Sequence, residues 1–275
     1  MELIVFDLDG TLLDSDSSIS VRTGQMLQQL SKRGIAYTVA TGRMRQDAHT
    51  LLSAHNFNLP LVFKNGVLIW HPRLEKYTHR NLLTQDEIRH VMKAVIKQNI
   101  SPFVYTLNPG NHYAIFHPEP RHKEEKRLID HYSEQSNVSL YDLEELPRHA
   151  AITNISAIGP REIIEQTERL IEDEQHLVIY TGEAIESKHL GWMDIHHSDA
   201  SKGAAITKIK REIGATQVIC FGDSNNDLSM FKIADESYAP DNANAAIKAA
   251  ATEVIGHHNE DGIAEFLRRR FKLSD

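Results

Sequence analysis

The stretch that decides the fold is Leu3–Thr11, LIVFDLDGT, in which a short apolar run ends in two aspartates and a glycine. A second stretch, Gln217–Asp227 with the sequence QVICFGDSNND, repeats this arrangement far downstream. Short apolar runs rich in β-branched residues are typical of strands buried in a parallel sheet. Ligands of open α/β sheets bind beyond the carboxyl ends of the strands. The sequence therefore predicts an α/β fold with a doubly wound parallel sheet and a divalent-metal pocket at its edge.

Two further segments favour the same edge of the sheet. The strand-like run Ile35–Ala40 leads into Thr41-Gly42-Arg43, which adds a hydroxyl group and a flexible backbone. Lys202 stands in the segment DASKG, where a capped amphipathic helix is expected to begin. These segments supply donor groups beside the acidic ones.

Taken in chain order, these motifs resemble the haloacid dehalogenase superfamily of phosphohydrolases over nearly the full length of the chain. One motif alone would be weak evidence, but the ordered set is highly specific. Matches at Asn65-Gly66, Asp241-Asn242-Ala243 and Asn259–Gly262 look like the Cof-type branch with its large cap domain. The four superfamily motifs are Asp7-x-Asp9-Gly10-Thr11, Thr41-Gly42-Arg43, Lys202 and Gly222-Asp223-x-x-Asn226-Asp227.

The resemblance implies a Mg²⁺-dependent phosphatase in which Asp7 is the nucleophile. A carboxylate can attack phosphorus only when the charge of the phosphate oxygens is neutralised, and Mg²⁺ held by oxygen ligands does this. Hydrolysis through an aspartyl phosphate replaces one difficult displacement with two easier ones. The metal ligands expected from the resemblance are Asp7, Asp9, Asp223 and Asp227.

Asp9 is expected to act as the general acid and base. It would protonate the leaving alkoxide and then deprotonate the attacking water, a contribution of roughly 100-fold to 10,000-fold. Phosphorylated-aspartate pumps resemble this family but carry threonine at this position and keep their intermediate longer. Asp9 therefore favours turnover, and with Asp7 and Lys202 it completes the expected catalytic set.

A phosphate site is expected around these carboxylates. Hydroxyl and ammonium donors would hold the equatorial oxygens of the phosphoryl group, while Gly10 lets backbone N–H groups after Asp7 approach it closely. Arg43 is expected to have a structural role. The expected phosphate or substrate contacts are Leu8, Thr41, Gly42, Lys202 and Asn226.

The spacing of the motifs predicts an inserted domain. Between Thr41 and Lys202 the chain is far longer than a strand-helix-strand crossover of about 30 residues requires. Helix and strand patterns alternate through this segment, with one strand at Phe103–Leu107, and the segment resembles the α+β cap of the Cof-type branch. Before it, residues 3–70 read as strand, helix, strand, helix, strand in the predicted sheet, with the first helix near Ser20 to Arg33. We expect a discontinuous core domain at 1–80 and 197–275, and a cap at 81–196 that selects the substrate. Hinges are expected near Tyr77–Leu82 and His196–Ser201.

Composition and net charge disfavour several other classes of protein. The chain has 275 residues and a formal net charge of −8, which disfavours nucleic-acid and anionic-membrane partners. No apolar run reaches the roughly 18 residues of a membrane span, and the first strand begins without a leader, so we expect a cytoplasmic protein. The lone cysteine, Cys220, is expected to be a buried strand residue. The sequence leaves open whether the protein is a monomer or a homodimer.

Other interpretations of the motifs are weaker. A calcium loop starting at Asp223 would require glycine and glutamate where Leu228 and Ala234 stand. The sixteen histidines form no metal-binding motif, and the basic run Arg268–Lys272 suits the carboxyl end of a helix. By resemblance the substrate is a small phosphorylated metabolite: a sugar phosphate, a nucleotide or flavin precursor, or pyridoxal phosphate. A phosphomutase acting on phosphosugars and a non-catalytic binding module remain as alternatives.

Overall fold

The computed structural model describes residues 1–108, 110–135, 138–184 and 187–274. The chain divides into two compact units, one made of Met1–Arg80 with Ser201–Asp275 and the other of Asn81–Ala200. The second boundary follows Ala200, whereas the sequence placed it after His196. The strands are β1 (Glu2–Phe6), β2 (Ala36–Val39), β3 (Leu61–Phe63), β4 (Leu68–His71), β5 (Lys76–Arg80), β6 (Phe103–Leu107), β7 (Tyr113–His117), β8 (Val138–Asp142), β9 (Ile152–Pro160), β10 (Leu177–Ala184), β11 (Ser187–His197), β12 (Gln217–Phe221), β13 (Glu236–Pro240) and β14 (Glu253–Ile255). The helices are α1 (Val21–Lys32), α2 (Arg45–Ser53), α3 (Gln85–Lys97), α4 (Lys123–Ser133), α5 (Arg161–Ile171), α6 (Lys202–Ile213), α7 (Leu228–Phe231), α8 (Ala245–Ala250) and α9 (Gly262–Phe271).

The first unit is built on a parallel sheet with the strand order β14-β13-β12-β1-β2. The predicted α/β class and doubly wound sheet are confirmed. Because β1 lies between β12 and β2 and both of its faces are covered, its side chains are apolar from Leu3 to Phe6. Leu3 and Val5 pack with α6, whereas Phe6 stacks on Phe221 on the opposite face. Helices therefore enclose the sheet from both sides.

Local capping chemistry sets the ends of α1. Ser20 precedes the helix, and its hydroxyl oxygen accepts a hydrogen bond from the Thr23 amide at 3.0 Å. Gly34 follows the helix with φ of 69°, a left-handed conformation that glycine adopts without steric cost. The sequence predicted this helix from about Ser20 to Arg33, within a residue or two of its observed ends.

The third N-terminal strand differs from expectation. The pattern strand, helix, strand, helix, strand placed Leu61–Phe63 in the parallel sheet, but β3 pairs antiparallel with β4, and β4 pairs with β5. A single parallel bridge, Ala40 to Val62, links β3 to the end of β2. The reason is local, because Lys64 and Asn65 both have positive φ and turn the chain back at once into β4. The Asn65-Gly66 dipeptide between two apolar runs is a typical hairpin signal, and the expectation of a parallel strand overlooked it.

The second unit, Asn81–Ala200, contains a mixed sheet with the order β10-β11-β9-β6-β7-β8. All neighbouring strands are antiparallel except β7 and β8. The apolar faces of α3 and α5 pack on this sheet in one buried cluster that includes Val91, Ile155 and Ile164. The α+β content agrees with the helix and strand patterns of the sequence.

No helix among the described residues is both long enough and apolar enough to cross a membrane. Cys220 is buried in β12, as predicted from the apolar run around it.

Candidate active site

Asp7 lies directly beyond the carboxyl end of β1, in the middle of the parallel sheet. The register aligns Phe6 with Phe221 on one side and with Val39 on the other. The Asp7 amide donates to the Phe221 carbonyl oxygen at 2.9 Å, which adds one more hydrogen bond to those between β1 and β12. The side chain is almost fully buried. Three strand ends thus meet around one carboxylate, as expected for a doubly wound sheet.

Lys202 begins α6 and sends a fully buried side chain between two carboxylates. Its ammonium group donates to Asp7 Oδ1 at 2.7 Å and to Asp227 Oδ1 at 2.6 Å. Burial disfavours the charged ammonium, but Asp227 and Asp7 outweigh this effect and raise the pKa of Lys202. Lys202 is therefore positively charged at neutral pH and neutralises part of the acidic cluster.

The backbone around Lys202 depends on two close approaches that only glycine allows. A Cβ atom on Gly203 would lie 2.0 Å from the Ser229 carbonyl oxygen. A Cβ atom on Gly66, which has φ of 102°, would lie 2.3 Å from the carbonyl oxygen of Ser201. Both approaches bring the amino end of α6 against its neighbours and so determine where the ammonium group lies.

Asp223 and Asp227 occupy the turn that follows β12. Asp227 Oδ2 accepts hydrogen bonds from the amides of Asp223 at 2.9 Å and Ser224 at 3.0 Å, so this carboxylate organises its own turn. Asp223 Oδ1 accepts from the Thr11 hydroxyl at 2.9 Å, which ties the turn to the loop after β1. One carboxylate oxygen from each of Asp7, Asp223 and Asp227 lies within 4.8 Å of the others. This spacing allows the three residues to ligate one cation.

The electrostatics of the cluster also favour a cation. Burial, reinforced by the neighbouring carboxylate of Asp227, raises the pKa of Asp7 well above its ordinary value. Burial and the same carboxylate raise the pKa of Asp223 to about 6. Both shifts reflect the cost of placing several negative charges in a small buried volume with only Lys202 among them. A bound divalent cation would reverse that cost.

The loop after β1 supplies backbone groups next to Asp7. Gly10 has φ of 72°, and a Cβ atom there would lie 2.6 Å from Asp223 Oδ2, so the loop requires glycine for both reasons. The carbonyl oxygen of Gly10 accepts from Asn242 Nδ2 at 2.7 Å. The side chain of Leu8 is buried and apolar, which leaves only its backbone amide for the predicted phosphate contact.

Thr41 and Gly42 lie at the end of β2 on the second loop. The Thr41 hydroxyl oxygen accepts from the Arg43 amide at 3.1 Å, which leaves the hydroxyl hydrogen for an acceptor such as a phosphate oxygen. Gly42 faces the side-chain amide of Asn65, since a Cβ atom on it would lie 3.3 Å from Asn65 Oδ1. The same oxygen accepts from Asn226 Nδ2 at 2.9 Å. Asn226 therefore links the acidic turn to the second loop, a connection that the sequence did not reveal.

Asp9 does not join the acidic cluster. Its carboxylate is more than half exposed, and both oxygens accept from Arg43, with Nε at 2.8 Å and the Nη2 atom at 2.5 Å. This contact is the largest cause of the raised pKa of Arg43. In this conformation the Asp9 carboxylate lies apart from the carboxylates of the other three predicted metal ligands. Arg43, which was expected to be structural, holds the predicted general acid and base in place.

Sequence reasoning named Asn65 and Asn242 only as parts of family motifs. The structure shows the contacts of each one. Asn65 accepts from Asn226 and its amide donates to the Thr41 carbonyl oxygen at 3.0 Å, so it joins Asn226 to the second loop, and Asn242 holds the loop after β1. Their only sequence signal was membership of the ordered motif set.

Comparison with known proteins agrees with this geometry. A profile of haloacid dehalogenase-like hydrolases matches residues 4–267. The 5-amino-6-(5-phospho-D-ribitylamino)uracil phosphatase YitU of Bacillus subtilis is 26% identical, with 98% of each chain aligned. The HMP-PP phosphatase of Klebsiella pneumoniae is 25% identical over 97% of this chain and 94% of its own length. A solved haloacid dehalogenase-like hydrolase from B. subtilis shares the fold with a TM-score of 0.80 at 23% identity, covering 98% of this chain and 99% of that chain.

The family profile covers nearly the whole chain and spans both compact units, including all four ordered motifs. The chain therefore belongs to the haloacid dehalogenase-like hydrolases and is an enzyme of their phosphatase type.

Proposed function

We propose that this enzyme hydrolyses phosphate monoesters of small metabolites with Mg²⁺ as its cofactor, and that Asp7 carries the phosphoryl group between the two halves of the reaction. The observation that supports this most strongly is the surroundings of Asp7. One of its oxygens contacts Lys202, and Asp223 and Asp227 lie within ligating distance of a shared cation. The proposed nucleophile, the proposed cation site and the ammonium group that would donate hydrogen bonds to the phosphate therefore lie together beyond the end of β1.

The donor set fits a hard divalent cation. All three residues offer carboxylate oxygens, which Mg²⁺ prefers, and no cysteine or histidine belongs to this described cluster. When bound, Mg²⁺ would neutralise phosphate oxygens and lower the charge repulsion that an attacking carboxylate meets. Asp7, Asp223 and Asp227 are the residues proposed to hold it.

In the first half of the reaction, a carboxylate oxygen of Asp7 forms a bond to phosphorus and the bond from phosphorus to the ester oxygen breaks. Asp9 donates a proton to the leaving alkoxide. In the second half, a water oxygen attacks the same phosphorus, Asp9 accepts the proton of that water, and the bond to Asp7 breaks. Inorganic phosphate leaves, and both aspartates return to their starting states.

Arg43 adds a condition to the role of Asp9. Because Arg43 donates to both carboxylate oxygens of Asp9, Asp9 has to release at least one of these hydrogen bonds and bind a proton from solvent before it can protonate the leaving-group oxygen. Arg43 is thus proposed as a positioning residue that holds Asp9 near the site until the substrate arrives.

Lys202, Thr41 and the backbone amides after Asp7 are proposed to hold the phosphoryl oxygens. The Lys202 ammonium lies 2.7 Å from a nucleophile oxygen, so it is placed to contact a phosphoryl group bonded there. Donors held in place before the reaction need no reorganisation as charge spreads over the equatorial oxygens.

We also propose that the unit Asn81–Ala200 is the cap of this family and selects the leaving group. YitU and the HMP-PP phosphatase are named for different phosphorylated compounds, so the family does not imply one substrate for this chain. A substrate panel therefore has to include sugar phosphates, a riboflavin-precursor phosphate, flavin mononucleotide, pyridoxal phosphate and HMP-PP.

The test is phosphate release from this panel with Mg²⁺ and with chelator, comparing the wild type with Asp7→Asn and Asp16→Asn. Asp16 is an exposed aspartate that belongs to none of the proposed sites, and its substitution controls for the loss of one negative charge. We expect Mg²⁺-dependent release that Asp7→Asn abolishes and Asp16→Asn leaves intact, with no isomerised phosphosugar accumulating. Near-wild-type turnover by folded Asp7→Asn would refute the proposed role of Asp7 as the nucleophile.

A further inference from the structure

A cavity separate from the acidic cluster lies in the first unit between α2 and the β3-β4 hairpin. Its volume is about 270 Å³, and none of its lining residues belongs to the acidic cluster. Four of them, at 45, 49, 52 and 53, repeat along one face of α2. The opposite wall is formed by apolar and aromatic side chains that include Phe57, Leu61, Phe63 and Trp70. The cavity is therefore apolar on one side and carries polar groups of the helix on the other.

Arg45 is the unusual member of this lining. Its guanidinium carbon lies 4.2 Å from the centre of the Trp70 ring, a cation–π contact. Among the described residues it pairs with no carboxylate, and its buried Nε–H has no hydrogen-bond acceptor. It is also the first residue of α2, where the positive end of the helix dipole disfavours a cation. The fold thus carries a cation whose local environment does not explain it.

A carboxylate would satisfy this group. The Nε and Nη atoms of arginine form a fork that matches two carboxylate oxygens, and a charged acceptor for a buried N–H removes the cost of leaving it unpaired. Because the Nε–H is shielded from solvent, a ligand reaches it when the guanidinium turns toward the cavity. That turn would change the contact between the guanidinium and the Trp70 ring.

The remaining lining limits the ligand. Phe57, Leu61 and Phe63 are buried and offer an apolar surface suited to a ring. The exposed Glu75 also lines the cavity and repels negative charge, so a ligand with two carboxylates is disfavoured more strongly than a monocarboxylate. The volume lies just below the roughly 300 to 1,000 Å³ of typical ligand pockets, which favours a small molecule.

From these observations we propose that the cavity between α2 and the β3-β4 hairpin is a binding site for a small organic monocarboxylate with a single ring, held by Arg45 and stacked near Trp70. The assignment does not depend on the phosphatase chemistry. It rests on the cavity, on the Arg45 Nε–H that lacks a hydrogen-bond acceptor, and on the aromatic wall.

The test uses the tryptophan content of the chain. The sequence contains two tryptophans, Trp70 and Trp192, so Trp192→Phe leaves Trp70 as the only indole reporter. Benzoate is titrated into the full-length variant at constant ionic strength while Trp70 fluorescence is recorded. Benzyl alcohol tests the need for the charge, acetate the need for the ring, and benzylamine the sign of the charge. Calorimetric titration of benzoate gives a second readout that does not depend on the indole.

Two substitutions in the same background test Arg45. Arg45→Lys keeps the charge but loses the fork, and Arg45→Met loses both, whereas Arg73→Met removes an exposed cation that does not line the cavity. We expect saturable binding of benzoate, and affinities lower by about tenfold or more for the three other probes and for both Arg45 variants. Arg73→Met should bind benzoate as the parent does.

No saturable benzoate signal in either readout would overturn the assignment, as would equal binding by folded Arg45→Met. A Trp70 signal that follows protein concentration and not benzoate would indicate contact between two copies of the chain, and this too would overturn the ligand assignment. Phosphate release plays no part in these measurements, so a failure here leaves the proposed hydrolysis standing, and the converse also holds.

Discussion

Lys202 has no exposed side-chain surface, and its ammonium group contacts Asp7 and Asp227. Buried ion pairs often add little net stability, because desolvation opposes the attraction of the charges, but removing one partner leaves the other charge uncompensated. The same residue is proposed to hold the phosphoryl group. Stability and catalysis therefore depend on one side chain, which makes its substitution informative in two assays.

For Lys202→Met we expect a loss of about 3 to 5 kcal/mol in the free energy of unfolding without metal. The pKa of Asp7 should rise further, so the loss should be larger at pH 8 than at pH 5, where protonation of the carboxyl is easier. Urea unfolding at both pH values measures this. Phosphate release should fall at least about 100-fold. An unchanged kcat/KM in the folded variant would contradict the phosphate contact.

The ionisation of Asp223 should make the stability of the fold depend on pH. Its pKa of about 6 lies above the ordinary value, mainly because of burial, so the folded protein binds a proton there more tightly than the unfolded chain does. A carboxyl of this kind destabilises the fold as pH rises from about 4 to about 6. The metal-free protein should therefore lose stability over that range.

We expect metal-free Asp223→Asn to be more stable than the wild type at pH 7, by about 1 to 3 kcal/mol. Asparagine keeps an oxygen that can accept from Thr11, so the variant loses the charge and retains the hydrogen bond. Mg²⁺ should raise the melting temperature of the wild type and not that of the variant. Thermal melts with Mg²⁺ and with chelator decide this, and a variant that is less stable than the wild type without metal would contradict the electrostatic explanation.

Helix α6 depends on a glycine near each end, for different physical reasons. Gly203 has no room for a Cβ atom, because the Ser229 carbonyl oxygen would lie 2.0 Å away and cannot move freely. Gly214 has open space around it, but its φ of 68° places it in the left-handed region. The first is a packing requirement and the second a conformational one.

Gly203→Ala should cost about 3 kcal/mol or more, since backbone atoms have to move, and it should also lower turnover because Lys202 is the preceding residue. Gly214→Ala should cost only about 1 to 2 kcal/mol and leave kcat/KM unchanged. Urea unfolding and phosphate release on both variants make the comparison. Equal effects of the two substitutions on turnover would show that the amino end of α6 does not position Lys202.

Sequence patterns located most of the elements but missed some pairings. Strand β6 was predicted with its observed bounds, Phe103–Leu107, because its apolar and aromatic run is unambiguous. Strand β3 was assigned to the wrong sheet, although Asn65-Gly66 follows it and is a dipeptide typical of hairpin turns. Strand partners depend on such turns, and here the regular alternation of strands and helices was given more weight than the turn signal.

Each of the two units contains one tryptophan, so the effect of metal on the stability of each unit can be measured separately. Trp70 belongs to the first unit and Trp192 to the second, so Trp192→Phe and Trp70→Phe each leave one reporter. All three proposed metal-binding carboxylates lie in the first unit. A metal that binds only the folded state stabilises it by about 2.7 kcal/mol at 100 times its Kd.

We therefore expect Mg²⁺ to shift the thermal transition seen by Trp70 more than the one seen by Trp192. Fluorescence melts of the two single-tryptophan variants, with Mg²⁺ and with chelator, measure both shifts. Identical transitions that shift together would show that the units unfold as one cooperative body. A shift confined to Trp192 would contradict the proposed metal site.

The α/β class and the acidic and lysine residues of the site followed from the sequence by itself. Buried parallel strands require apolar runs, and their carboxyl ends meet at one edge, so residues after those runs are brought together whatever the details of packing. Three contacts were shown only by the tertiary structure. Arg43 donates hydrogen bonds to Asp9, Asn226 donates one to Asn65, and the Arg45 guanidinium lies over the Trp70 ring beside a cavity. These contacts join different loops and elements, and they depend on side-chain conformations and turn geometry that no local pattern encodes.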